Sequence, residues 1–479
     1  MCSSPRKKIL LAGINSKFIH VNLAVRSIAA YCRERGADVD FIEFTVNESI
    51  DRVISCLIAE KPDVLGFSCY IWNIEPIIRI IGAVRKVLPE VVIVAGGPEV
   101  SFEEDDRLYE ARLGVDYIIQ GEGEQAFFEL INGLDCNKQA LAHIKMKELP
   151  FPYSNFDDIR DRIVNYETSR GCPNRCGFCL SSASEGVRFK DTAKVFPELD
   201  VFIAAKIKQV KLTDRTFNCD SGRAYAIWEY LIKNDNGCTN FHFEIAADML
   251  DDAALELLKT PRPGLFQFEI GLQSANRAVL DAVNRRTDTR KLRDNITALK
   301  SYGNIHIHLD LIAGLPFEDF ASFRESFDFA YGMAPDRLQL GFLKLLRGTD
   351  LRKNAAKYGI VYNDFPPYEF LYTSALPYEH TVILKAIESV LEIFYNSKKF
   401  NHTLSFVMKG RPSPFDFYRE LADYWTRKGY DALSHSLRAL FSILREFLAP
   451  RYGEAPGHRA DHLLHAERGE AGQRRAARR

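Results

Sequence analysis

The stretch IVNYETSRGCPNRCGFC, residues 163–179, decides how this chain is read. Its first half has the look of a short strand. It runs into a loop in which Cys172, Cys176 and Cys179 stand at C-x3-C-x2-C spacing. A [4Fe–4S] cluster is normally held by four thiolates, so three cysteines in one loop leave one iron open to another molecule. A structural zinc site would want a fourth Cys or His with CxxC-type spacing. The loop also follows a strand, and active sites of barrel folds lie at such strand ends.

Working outward towards the C-terminus, apolar runs alternate with amphipathic ones. Strand-like QVKLTD, FHFEIA, LFQFEIGL, IHIHLDLIAGL and RLQLGFLKLL are separated by helix-like stretches near residues 193–206, 224–233, 253–259, 290–302 and 321–333. Counting the strand before the cysteines gives six βα repeats over roughly 180 residues, which fits an incomplete TIM-like barrel better than a closed eightfold one.

Towards the N-terminus a second βα rhythm appears: KKILLAGI, VNLAVRSIAAYCRERG, DVDFIEF, a helix-like run over 50–59, DVLGFSCY, IIRIIGAVRKVLP, VVIVAGG and VDYIIQGEGE leading into AFFELINGL. It predicts a doubly wound parallel sheet over residues 7–135, with ligands expected at strand ends 13–16, 68–73, 96–101 and 121–124. The expected organisation is therefore α/β: a Rossmann-like domain over 1–136, a linker over 137–161, a partial (β/α)6 barrel over 162–357, a mainly helical C-terminal domain over 358–450 and a disordered tail over 451–479. The late aromatics Tyr368, Phe370, Tyr372, Phe394 and Tyr395 read as core.

Composition narrows the function. A chain of 479 residues with 46% hydrophobic and 27% charged residues builds substantial cores, and a net charge of −1 gives no electrostatic reason to expect a nucleic-acid partner. A small-molecule or peptide substrate is expected. Residues 1–8 carry charge without an apolar core and cleavage site, and no apolar run approaches the roughly eighteen residues of a membrane span. A cytoplasmic protein follows as the expectation. Ten cysteines, of which three cluster, do not resemble a secreted disulfide framework.

The segment SRGCPNRCGFC resembles the CxxxCxΦC signature of the radical S-adenosylmethionine (SAM) superfamily, with Phe178 as the aromatic residue. The resemblance implies that Cys172, Cys176 and Cys179 hold a [4Fe–4S] cluster whose open iron chelates SAM. An electron from the cluster then cleaves the sulfonium to a 5′-deoxyadenosyl radical. It also implies a reducing partner such as flavodoxin or ferredoxin.

The later strand ends are similar to those of oxygen-independent coproporphyrinogen oxidase and its relatives: Glu244 in FHFEIA, Gln273 in EIGLQSAN, Arg285 in an NR pair twelve residues on, and Asp310 before a GLP turn. That similarity puts Glu244 and Gln273 at the amino-acid or ribose end of SAM. It puts Arg285 at the SAM carboxylate and Asp310 at the ribose hydroxyls, roles that suit a charged fork and an acceptor of two donors. The turn LTDRTFN resembles the aspartate-containing turn of cobalamin-associated members and implies Asp214 at the SAM ammonium.

The N-terminal unit, with AGGPEVS and GEGE, resembles the cobalamin-binding domain of B12-dependent radical SAM proteins, in an uncharacterised branch with an extra C-terminal domain. Gly96, Gly97, Gly121 and Gly123 would let backbone approach a flat corrin, with Ser68, Trp72 and Asn73 on the neighbouring loop. The DxHxxG loop of cobalamin mutases is absent. His20 occupies that neighbourhood and is read as a helix-start or pocket-lining residue rather than a cobalt ligand. An NAD site lacks its GxGxxG.

Three functions remain open: methylation of an unactivated carbon or phosphorus through cobalamin; cyclisation, ring contraction or redox rearrangement with the same parts; and a non-enzymatic iron–sulfur or corrinoid-binding regulator.

Overall fold

The computed structural model describes residues 7–102, 113–133, 144–183 and 186–452. Strands β1 (Ile9–Asn15), β2 (Val39–Thr45), β3 (Val64–Ser68), β4 (Val92–Gly96) and β5 (Tyr117–Ile119) form an all-parallel sheet in the order β2-β1-β3-β4-β5. Alternation along β1 shows why both faces are covered. Leu10, Ala12 and Ile14 join a core with helices Ile50–Ala59 and Ile74–Val87, whereas Ile9 and Leu11 join one with Leu23–Glu34 and Gly123–Ile131. The strand order reverses between β1 and β3, so the crevice at a doubly wound sheet's switch point opens beyond their carboxyl ends.

The second sheet has six parallel strands in the order β13-β12-β11-β10-β9-β6, from β6 (Ile163–Tyr166), β9 (Gln209–Leu212), β10 (Asn240–Ile245), β11 (Phe266–Gln273), β12 (His306–Ala313) and β13 (Arg337–Phe342). This is the expected partial barrel. Along β11, Phe266, Phe268, Ile270 and Leu272 are buried in the core shared with the outer helices, while Gln267, Glu269, Gly271 and Gln273 occupy the opposite face. Along β12 the same alternation sets Ile307, Leu309 and Leu311 against His306, His308 and Asp310. The inner face is thus polar, unlike the apolar layers that fill a closed barrel.

An open barrel exposes two strand edges, and other parts of the chain cover both. On the β6 side, the Ile163 amide donates to Ile19 O at 2.8 Å, the Val21 amide to Ile163 O at 3.3 Å, and the Asn165 side chain, through Nδ2, to Val21 O at 2.9 Å. The loop after β1 therefore extends the barrel sheet. On the β13 side, Asn396 accepts from the Leu338 amide at 3.0 Å and donates to its carbonyl at 2.9 Å, and so stands in for a neighbouring strand. Asn396 ends a π-helical turn, Glu392–Asn396, that follows helix Tyr378–Leu391 of the C-terminal region.

Several expectations are corrected in detail. IVNYETSR is not one strand: β6 stops at Tyr166, and β7 (Ser169–Gly171) turns away to pair antiparallel with β8 (Val187–Phe189). RLQLGFLKLL leaves the sheet after Phe342, and Lys344 then bridges to Glu369. Of the stretch read as a linker, residues 137–143 lie outside the described residues. The remainder is docked, with Met146 and Leu149 buried against Tyr31, and Tyr153 and Ile159 in the barrel core. Helix Leu437–Tyr452 runs just past the expected start of the tail, whose residues 453–479 also lie outside those described. Four of the five late aromatics are buried, whereas Tyr372 is exposed.

Candidate functional site

The cysteine loop is seated from three directions. The Gly177 amide donates to Val283 O at 2.9 Å, the Leu351 amide donates to Gly177 O at 2.8 Å, and the Asn284 side chain donates to Arg175 O at 2.9 Å. Before the loop, Gly171 has φ +95°, and a Cβ there would lie 2.0 Å from Gly186 O, so only glycine fits. Cys176 is buried, and burial pushes its thiol up while Arg285, with Nη1 3.9 Å from Cys176 Sγ, pulls it down. Cys172 Sγ lies 3.4 Å from Thr216 Oγ1. Among the described residues no three Cys, His, Asp or Glu side chains converge as they would on a single metal ion.

Gly271 of β11 gathers three of the expected SAM residues. A Cβ on Gly271 would meet Gln273 Nε2 at 2.2 Å and Arg285 Nη2 at 3.6 Å, and Gly271 is the register partner of Asp310. Gln273 has φ +70°, and its Oε1 is buried without a hydrogen-bond partner. A strained backbone and a buried acceptor without a protein partner fit a polar ligand group at this position. Arg285 donates to Gly271 O at 2.7 Å and reaches the cysteine loop, so these residues and the thiols form one site. Asp310 Oδ1 is likewise buried without a partner. Burial, then the carboxylates of Glu269 and Glu244, push the Asp310 carboxyl up to about 8.

Glu244 is engaged by cations. Lys211 Nζ is 3.3 Å from Glu244 and 2.9 Å from Glu269, and Arg215 is 3.9 Å from Glu244. Glu244, Lys211 and Arg215 line a cavity of about 560 Å³ between the two sheets. Asp214 corrects the expectation made for it. It is fully buried, and its carboxylate accepts from the Thr168 amide at 3.0 Å, the Thr168 hydroxyl at 2.6 Å and the Ser169 hydroxyl at 2.5 Å. It fastens the turn after β9 to the approach of the cysteine loop and has no free face for an ammonium.

The cavity is lined on its N-terminal side by Ser68, Trp72, Gly96, Gly97, Gly121 and Gly123, with His20 at its edge. Gly97 has φ +111°, and a Cβ there would strike Cys69 O at 2.5 Å. Trp72 stacks flat on Tyr70, with ring centres 4.4 Å apart, and donates to Ile14 O at 3.1 Å. Asn73 is the exception among the expected corrin residues. It is fully buried, its amide donates to Ile14 O and Ser68 O at 2.9 Å, and its oxygen accepts from the Tyr70 amide at 2.7 Å. It braces the loop that presents Trp72. Burial, then Lys211 and Lys17, hold the His20 imidazole below its ordinary value, hence neutral at pH 7.

Arg170 was not expected in the site and lines the same cavity. It meets Glu122 at 3.1 Å, Glu124 at 2.5 Å and Glu167 at 2.8 Å. GEGE was legible as a motif, but nothing in it points to an arginine 46 residues later.

Comparison with known proteins agrees with this architecture. Residues 9–131 match the B12 binding domain family, residues 166–330 the radical SAM superfamily, and residues 356–465 a family described as protein of unknown function, DUF4080. The chain is 28% identical over 327 residues to the cobalamin-dependent radical SAM methyltransferase TokK of Streptomyces tokunonensis, covering 60% of this chain and 46% of TokK. It is 25% identical over 414 residues to the anaerobic magnesium-protoporphyrin IX monomethyl ester cyclase of Rubrivivax gelatinosus, covering 78% of this chain and 74% of the cyclase. The chain thus spans about half the length of TokK and a larger share of the cyclase. In fold it is similar to the cobalamin-dependent S-adenosylmethionine radical enzyme OxsB, solved with aqua-cobalamin and S-adenosylmethionine bound, with TM-score 0.64 and 16% identity over 97% of this chain and 79% of that one. With both αβ units matched in this order, the chain carries a B12 binding domain followed by a radical SAM domain.

Proposed function

We propose that the chain is an enzyme that uses a [4Fe–4S] cluster, SAM and cobalamin to methylate an unactivated carbon or phosphorus of a small molecule. The observation that carries this reading is the cavity itself. Glycine-bearing strand ends of the B12-binding domain form one wall, and polar strand ends of the barrel, with Arg170 two residues before Cys172, form the other. The similarity to TokK, a methyltransferase by name, supports it. When bound, the cluster supplies an electron to SAM and the corrinoid carries the methyl group. The chain's own residues bind and orient: Cys172, Cys176 and Cys179 hold the cluster, Arg285 pairs with the SAM carboxylate, and Gln273 and Asp310 take its polar groups. Trp72, which lines the cavity, would present its flat ring to a bound corrin. Flavodoxin or ferredoxin is the proposed reductant. No helix among the described residues is long and apolar enough to cross a membrane, and we place the protein in the cytoplasm.

The cyclase similarity, which covers more of this chain, favours a second reading in which the same cofactors drive ring closure or redox rearrangement. One incubation separates the two. Reduced, cluster-loaded protein with hydroxocobalamin and SAM should release both 5′-deoxyadenosine and S-adenosylhomocysteine. Deoxyadenosine without S-adenosylhomocysteine would replace methyl transfer with the cyclase reading.

Asp310 adds a pH prediction. Its folded carboxyl, raised to about 8, keeps its proton at neutral pH, whereas the ribose hydroxyls and sulfonium of SAM favour the charged form. SAM binding therefore releases a proton below that value. Affinity should tighten as pH rises, by up to about tenfold per unit, and level off above about pH 8. Asp310→Asn should flatten this slope and weaken SAM in alkaline buffer without changing iron content. A slope that survives in the variant would remove Asp310 from the SAM site.

A further inference from the structure

The two glycine-bearing loops that line the cavity each end in a glutamate held by an arginine of the radical SAM half. After β4, Gly96 and Gly97 lead to Glu99, which is buried, lies 3.1 Å from Arg347 and accepts from Tyr368. After β5, Gly121 and Gly123 alternate with Glu122 and Glu124, which hold Arg170 at 3.1 and 2.5 Å. Both arginines then lead to the cysteine loop. Arg170 is two residues before Cys172, and Arg347 is four before Leu351, whose amide donates to Gly177 O at 2.8 Å. The loops that would cradle a corrin thus grip the cluster loop at its entry and its middle.

Simple docking of the two halves does not need this network. The backbone bridge between His20 and Ile163 already joins them. Burying Arg170, 14% exposed, with Glu124, 6% exposed, costs desolvation that apolar packing would avoid, so the pair is better explained by the geometry it enforces than by stability. We infer that Glu124 and Arg170 are positioning residues that couple the corrin site to the cluster loop, so that an occupied corrin site tightens SAM binding. This rests on the reading of the chain as a cobalamin- and SAM-binding protein. A corrin against Gly121 and Gly123 fixes the GEGE backbone; Glu124 then fixes Arg170, and Arg170 the approach to Cys172. Linkage requires SAM to tighten corrinoid by the same factor.

The test is equilibrium binding of SAM to cluster-loaded, unreduced protein with and without saturating hydroxocobalamin. Wild type should show at least about fivefold tighter SAM with corrinoid, and Glu124→Gln a ratio near one while its corrinoid-free affinity stays within about twofold of wild type. Arg170→Lys, which keeps the charge but loses the fork, should lower the ratio with iron content unchanged, and serves if Glu124→Gln fails to fold. A wild-type ratio near one, or variants that keep the wild-type ratio, would overturn the inference. Folded, cluster-loaded protein that retains no corrinoid overturns it too, but through the reading beneath it, and is recognised by the missing corrinoid absorbance.

Discussion

Replacing Cys172, Cys176 and Cys179 together by Ala is expected to strip the iron–sulfur cluster from the protein and to end deoxyadenosine release altogether. These three thiols lie in one loop whose backbone is held by Val283, Asn284 and Leu351; burial raises the Cys176 thiol, and Arg285 beside it offsets only part of that. The other described cysteines do not offer a substitute set. Cys32 and Cys69 are fully buried, and burial pushes both thiols up to about 12, which keeps them protonated and poor ligands. Cys56 lies on helix Ile50–Ala59 of the N-terminal unit, and Cys238 is exposed in the loop before β10. Cys219 is the informative control. It follows the turn beside Cys172, and burial and the charge of Cys172 both raise its thiol. Cys219→Ala should keep full iron content. Iron analysis and the low-temperature spin-resonance spectrum of the reduced protein decide the matter. An unchanged cluster in the triple variant would mean that the ligands have been misassigned.

The second large effect is on stability. Arg170→Met leaves Glu122, Glu124 and Glu167 facing one another without their shared cation, in a site where Arg170 is 14% exposed. Removing one partner of a buried ion network costs about 3–5 kcal/mol. Denaturant unfolding should show that loss, concentrated in the transition that separates the two αβ units. Arg188, which pairs with Glu122, offsets part of it. The pH dependence has a definite sign. Burial pushes Glu122 up, but Arg188 and Arg170 more than offset this and hold its carboxyl below the ordinary value. Its contribution is therefore fully present above the unfolded pKa of about 4.5 and is lost as pH falls through the folded value. Arg170→Met should be less sensitive to acid over that window than wild type. An unfolding midpoint within experimental error of wild type would show that the network is idle.

Much of this architecture was readable because it rests on local periodicity. FQFEIGLQ alternates cleanly enough to show which residues face the helices and which face the barrel interior, and the spacing of three cysteines announces their loop without any structure. What escaped reading depends on pairs far apart in sequence. Glu124 and Arg170 are 46 residues apart, and Leu338 and Asn396 are 58 apart. No periodicity links them. Asp214 and Asn73 show the opposite error. Both sit in turns at strand ends beside the site, so a ligand-binding role was the natural expectation. The fold instead spends every oxygen of Asp214 on Thr168 and Ser169, and the amide of Asn73 on Ile14, Ser68 and Tyr70. A polar residue at a strand end is as useful for bracing a loop as for holding a ligand, and only its hydrogen-bond partners tell the two apart.

The reading of the cavity as a joint site for corrinoid and SAM is tested most directly by incubating the folded, cluster-loaded protein with hydroxocobalamin, removing the excess and recording what stays bound. The expected result is one corrinoid per chain, with a spectrum free of histidine-bound cobalt and unchanged by His20→Ala, since His20 has its backbone locked against Ile163 and Trp72 lines the wall beside it. Failure to retain corrinoid would contradict a cobalamin-dependent function for the chain. A histidine-bound spectrum that His20→Ala abolishes would contradict the absence of a histidine beneath the cobalt.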